Sequence, residues 1–180
     1  MSKNTAIQSE EEILEVLNGC VCCTVRKDLV DVLRRLAERR RAGTLQIDAI
    51  VLETTGMADP SPVAQTFFAD ATIKDYVRLD GIVTLVDAKH IEQHLDEKKP
   101  DGAINESVNQ LAFADRILLN KVDLMPDETD LQRIEQRLRG INGFAPIKRC
   151  TRGQVSVDDV LDIAGFDLQR TLQKDPGEPS

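Results

Sequence analysis

Short apolar runs, each ending in a polar residue and each followed by a helical pattern, constrain this chain more than any other feature. Ile47 to Leu52 ends at Glu53 and a Thr-Thr-Gly turn, Gly81 to Val86 ends at Asp87, and Arg116 to Leu119 ends at Asn120. Ala145 to Cys150 is a weaker fourth run. The second and third are almost continuously apolar, as strands covered on both faces of a parallel sheet must be. Helical patterns fill the gaps. Leu29, Val32, Leu33 and Leu36 follow 3-4 spacing, with Gly43 closing that helix. Pro60 or Pro62 suits the first turn of a helix through Val63 to Ala69. Ala103 to Ala114, Glu128 to Arg139 (ended by Gly140) and Val157 to Ala164 (with Ser156 as N-cap) complete the set. Strands alternating with helices predict an α/β fold, a largely parallel sheet flanked by helices. In such sheets chemistry gathers where strands end and loops begin.

A length of 180 residues suits one domain with a single sizeable core. Residues 1–172 are expected to form it. Residues 173–180, with two prolines and a glycine, are expected to be a disordered tail. The net charge of -8 argues against a nucleic-acid partner, since Arg34, Arg35, Arg39, Arg40 and Arg41 read as the solvated face and end of one helix. No apolar run approaches the roughly 20 residues that cross a bilayer, and the first residues hold no apolar signal core. Three of the four cysteines lie within four residues, a spacing unlike a secreted disulfide framework. A cytoplasmic location is expected.

Two strand ends carry nucleotide-type strings. Asn120-Lys121-Val122-Asp123 follows the third run. Its Asp carboxylate can accept two parallel N–H bonds from the Watson–Crick edge of guanine. Asn120 can meet the major-groove edge, and the Lys121 stem can lie along the base plane. Adenine would leave those buried polar groups unpaired. The same four residues also make a turn whose Asp caps the next helix. Glu53-Thr54-Thr55-Gly56 follows the first run. An acid there can hold a magnesium shell or order a water, and Gly56 lets a backbone N–H approach a terminal phosphate. A capped strand-to-helix turn accounts for that string equally well.

Asn18-Gly19-Cys20-Val21-Cys22-Cys23 concentrates soft thiolate ligands suited to zinc, copper(I) or iron–sulfur centres. Three protein ligands leave a tetrahedral position open, which fits delivery of metal better than a closed structural site. A redox pair and plain buried cysteines are the competing readings. His90 and His94 share one helical face at i, i+4, in charged surroundings that suit exposed histidines. Cys150 reads as a buried thiol at a strand end.

Together, Gly19-Cys20-Val21-Cys22-Cys23, Glu53 to Pro60, Val86-Asp87-Ala88-Lys89-His90 and Asn120-Lys121-Val122-Asp123 resemble the CobW family of metallochaperone GTPases, zinc-regulated metalloprotein activators among them. The likeness runs from about Glu15 to Gly165. It implies a P-loop NTPase-like fold of the SIMIBI class, with GTP, magnesium and zinc as ligands and a client metalloprotein as partner. It implies that Cys20, Cys22 and Cys23 bind zinc, that Glu53 is the Walker-B-like acid, that Gly56 senses the γ-phosphate, and that Asn120, Lys121 and Asp123 read guanine. Hydrolysis of GTP to GDP and phosphate would then drive metal transfer.

The family also opens with a strand and a Gly-x-x-Gly-x-Gly-Lys-Thr loop, and these 180 residues contain no Gly-Lys pair. The Lys, the nest of backbone N–H groups and the magnesium hydroxyl come from that loop. Weak GTP affinity and little hydrolysis are therefore expected of these residues alone. A missing central strand is expected to leave sheet edges open to association, with a second copy or a complementing P-loop chain. Two other readings remain: a metal-binding module without turnover, and a thiol redox protein that has no use for Asp123.

Overall fold

A computed structural model describes residues 24–56, 58–69, 71–100 and 105–165. Among these residues the sheet has three parallel strands in the order β1 (Val83–Asp87), β2 (Arg116–Asn120), β3 (Ile147–Arg149). Val86 lies beside Leu119 and Asp87 beside Asn120, so the polar ends of two apolar runs fall on one rim. Alternation of side chains sends Thr84, Val86, Ile117 and Leu119 to one face. There Val86, Ile117 and Leu119 pack with Ile91 of α4 (Ile91–Leu95), Leu111 of α5 (Glu106–Ala112) and Leu131, Ile134 and Leu138 of α6 (Glu128–Ile141). The 3-4 spacing of the α6 residues puts them on one stripe, and all three are buried.

Local chemistry sets the helix ends. Asn105 caps α5, its carbonyl oxygen accepting the N–H groups of Ser107 and Val108 at 3.0 and 3.2 Å. Glu128 and Asp130 lie in the first turn of α6 and Arg139 in its last, matching the helix dipole. α1 (Thr24–Arg41) closes as expected at Gly43, whose φ of +71° lets Gly43 and Thr44 donate back to the carbonyls of Arg40 and Arg39. α2 (Pro60–Ala69) and α3 (Ala71–Lys74) pack with α1 around a second, smaller core of Leu29, Leu33 and Ile73.

Three expectations are corrected. Ile47 to Leu52 forms no strand: Ile50, Val51 and Leu52 are exposed, Val51 by 73%. A strand needs a hydrogen-bonded neighbour about 4.8 Å away, and β1 pairs with β2 alone among the described residues. Leu85, on the face of β1 turned away from α4–α6, is likewise 61% exposed. α6 continues through Gly140 to Ile141, and Asn142 ends it. Val157 to Ala164 holds only a 3-10 turn over Val157–Asp159. Beyond it, the N–H groups of Ile163 and Ala164 bond the Asp80 carboxylate instead of a helix ladder. The expected tail, residues 173–180, lies outside the described residues.

Candidate functional site

The C-terminal ends of β1 and β2 build a charged rim. Lys121 leaves β2 in the left-handed conformation, φ 62° and ψ 31°, which costs a non-glycine residue about 1–2 kcal/mol. The bend is supported on both sides. Leu124 N–H donates to the Lys121 carbonyl at 3.0 Å, and Val122 N–H donates to the Cys150 carbonyl at 3.5 Å. The turn Val122–Leu124 that follows carries Asp123, exposed to solvent. Asn120 is tied into the fold by its carboxamide oxygen. Its Oδ1 accepts the Gly153 N–H at 3.1 Å and the Cys150 thiol at 3.6 Å, tying the end of β2 to the loop after β3. Arg152 and Gly153 in that loop both have positive φ.

Asp87 is the centre of the rim's charge. One oxygen, Oδ2, takes Lys121 Nζ at 2.7 Å and His90 Nδ1 at 2.9 Å; the other accepts the Lys89 N–H at 2.9 Å. Burial pushes this carboxyl upward, but hydrogen bonds from Lys121, His90 and the Lys89 backbone outweigh it and hold it at about 2. The expected histidine pair divides: His90 bonds Asp87 just before α4, and His94 lies within that helix, both exposed.

The loop after the unpaired 47–52 segment hangs on α5. Gln110 Nε2 donates to the carbonyls of Ala58 and Thr55 at 2.8 and 3.3 Å. Asn109 Nδ2 donates to Asp59 Oδ1 at 2.8 Å. Asp59 also accepts the Ser61 N–H and hydroxyl, which together hold its carboxyl below the usual range. These bonds bring Gly56 to a cleft of about 530 Å³ whose walls include Thr84 to Asp87 of β1 and Ser107 and Gln110 of α5. Gly56 and Asp87 therefore share one cleft, and Asp87 joins it to Lys121. Glu53 lies three residues before Gly56, exposed. Cys20, Cys22 and Cys23 lie outside the described residues. Among the described residues no cluster of three His, Cys, Asp or Glu can hold a metal ion, and no helix is long and apolar enough to cross a membrane. Cys150 is buried as expected, its thiol pushed up by that burial.

Sequence reasoning missed three contributors. The Asp87–Lys121 bond could have been anticipated from Asp87 and Asn120 ending two adjacent apolar runs. Gln110 and the loop at Arg152–Gly153 gave no such signal, because their roles depend on contacts distant in sequence.

A parallel sheet with helices packed on it and polar strings at its strand ends makes an α/β domain whose chemistry sits at the C-terminal rim of the sheet. The chain belongs to the family described as CobW/HypB/UreG, nucleotide-binding domain, whose match covers residues 2–149. It is 34% identical over 161 residues to the zinc chaperone YjiA of Escherichia coli, a stretch covering 89% of this chain and 48% of that protein. It is 36% identical over 162 residues to zinc-regulated GTPase metalloprotein activator 1 of Schizosaccharomyces pombe, covering 89% and 37%. The crystal structure of Zn(II)-bound YjiA GTPase from E. coli superposes with a TM-score of 0.68 at 34% identity, over 77% of this chain and 41% of that one. The chain thus spans less than half the length of the curated relatives it matches.

Proposed function

We propose that these residues form most of the GTP-binding domain of a zinc chaperone or metalloprotein activator. In the complete protein, hydrolysis of GTP to GDP and phosphate is coupled to transfer of zinc to a client metalloprotein. The observation that carries this reading is the convergence of Gly56, Asp87 and Lys121 on one cleft and its adjoining rim, with Asp123 two residues beyond Lys121. With its oxygen committed to Gly153, the Asn120 carboxamide presents its NH2 as donor, which suits the N7 and O6 acceptors of guanine. Asp123 supplies the acceptor for the Watson–Crick edge. Gly56 stands for the γ-phosphate contact and Glu53 for the acid that orders water or magnesium. Magnesium takes near-octahedral oxygen ligands, mostly water and phosphate, so a single exposed carboxylate fits only an outer role. Zinc is cargo, held at Cys20, Cys22 and Cys23 with one position open for transfer.

Phosphoryl transfer of this kind rests on positioning and electrostatics. The Lys and the backbone nest of a Gly-Lys-Thr loop are missing from these 180 residues. Alone they should bind GTP weakly and turn it over little; a P-loop segment, from the same polypeptide or a complementing chain, would restore both. That absence favours a second reading for these residues by themselves: a metal-binding module without turnover. Tightly spaced thiols, unlike a secreted disulfide framework, favour the cytoplasm.

Zinc stoichiometry measured beside GTP turnover tests the proposal. The purified chain should bind one zinc, lost when all three cysteines become Ser. Turnover should appear when a P-loop polypeptide of the family is added. Zinc binding with no turnover under any complementation would leave the metal-module reading; no zinc binding would remove both.

A further inference from the structure

We infer that Asp87 is a positioning residue for base recognition: its carboxylate tethers the Lys121 ammonium and so fixes the direction of the lysine stem that covers the guanine plane. The inference rests on the base-reading role proposed for Asn120 to Asp123.

Three observations carry it. Lys121 Nζ lies 2.7 Å from Asp87 Oδ2, across the paired strand ends that the register sets side by side. Lys121 is also the residue at which the backbone turns left-handed, so its side chain leaves the sheet in a direction the chain would not otherwise choose. A four-carbon stem with a free ammonium samples many rotamers, and fixing one end removes most of that freedom. Finally, the carboxylate is itself held by the Lys89 N–H on Oδ1 and by His90 Nδ1 on Oδ2, so the tether has a fixed anchor.

Magnitude separates this role from plain stabilisation. The side chains of Lys121 and Asp87 are 47% and 27% exposed, and an ion pair so open to water adds little to folding. Its effect should fall on direction, and hence on which base fits. Asp87→Asn is the discriminating change. Asn keeps an oxygen for the Lys89 N–H and so keeps the turn, while the charge that holds Lys121 is gone.

The test uses the purified chain, with GDP and ADP as probes. Their relative binding is read by saturation-transfer NMR, which detects millimolar complexes. The rate of Lys121 acylation by a small amine-reactive ester is read in parallel. Wild type, D87N, K121M and the double variant are compared, because a residue acting through another shows non-additive effects. D87N should lower the GDP-over-ADP preference by about three- to tenfold, speed Lys121 acylation several-fold, and shift the melting temperature by less than about 3 °C. In the K121M background it should lower the preference no further. Unchanged preference and acylation in D87N would overturn the proposal. An equal loss in both backgrounds would also overturn it, since Asp87 would then act by another route. A melting temperature that collapses with the preference intact would make Asp87 structural only. A wild-type chain with no preference for GDP overturns it through the base-reading role; that failure is told apart because acylation of Lys121 still quickens in D87N.

Discussion

Asn120 Oδ1 accepts the Gly153 N–H at 3.1 Å, so the first residue of the Asn120-Lys121-Val122-Asp123 string is a staple between two loops. The bond joins the end of β2 to a turn in which Arg152 and Gly153 are both left-handed. The loops after β2 and β3 therefore form one surface. Disturbing either should disturb the other.

The Asp87 carboxyl gives the rim a measurable titration. Its folded value of about 2 lies below the ordinary 3.8, so its stabilising effect is present above the unfolded value and is lost as pH falls from about 4 toward 2. Carbon-detected NMR of the Asp87 side chain should show a midpoint near 2 in wild type. In K121M, with the largest lowering contribution gone, the midpoint should rise. A midpoint that does not move in K121M would contradict the pairing.

Asn142 should be the costliest polar residue to remove from the sheet's supporting layer. It is buried, donates to the carbonyls of Leu111 and Ala114 at 2.9 and 2.8 Å, and accepts the N–H groups of Phe144 and Ala145. Asn142→Ala removes the partner of the buried Ala114 carbonyl and Ala145 N–H, at about 1–3 kcal/mol for each unsatisfied group, while the Leu111 carbonyl keeps the Ala114 N–H. Urea denaturation should show a loss of about 2–4 kcal/mol. A loss under 1 kcal/mol would mean that water or rearranged backbone satisfies them.

Open edges should make the chain associate. β1 has a strand on one side only among the described residues, and Leu85 and Val51 are 61% and 73% exposed. Exposed apolar edges pair with other chains. Sedimentation velocity should show mass rising with concentration in wild type. Leu85→Lys should reduce the rise without lowering the melting temperature. A monomer at all concentrations would contradict this.

The outcome at individual elements shows what local pattern can and cannot convey. β1 and β2 were legible because apolar runs bounded by turn residues are written in consecutive positions. α1 was legible to its end because Gly43 alone supplies the φ its closure needs. Ile47 to Leu52 has the same local pattern, yet a strand is a relation between segments, and no described neighbour pairs with it. Val157 to Ala164 failed for a related reason: after one 3-10 turn, the N–H groups of Ile163 and Ala164 bond Asp80, more than 80 residues away, rather than continuing a helix. At the site, the strings at Glu53 to Gly56 and Asn120 to Asp123 stood out by position after apolar runs. The Gln110 bond that carries the first toward β1 did not, because nothing adjacent to Gln110 encodes a distant carbonyl.

Every role proposed for the rim depends on the loop Asn120 to Asp123 reading guanine. Asp123 accepts where guanine donates, at N1–H and the 2-amino group; xanthine carries an acceptor oxygen in place of that amino group. Asp123→Asn, which adds a donor, should therefore exchange the preference. The direct measurement is saturation-transfer NMR of the purified chain with GDP, ADP and xanthosine diphosphate, before and after that single change. The account predicts weak binding with GDP above ADP in wild type, and xanthosine diphosphate above GDP in the variant. Equal signals from GDP and ADP in wild type, or an order unmoved by the substitution, would contradict it.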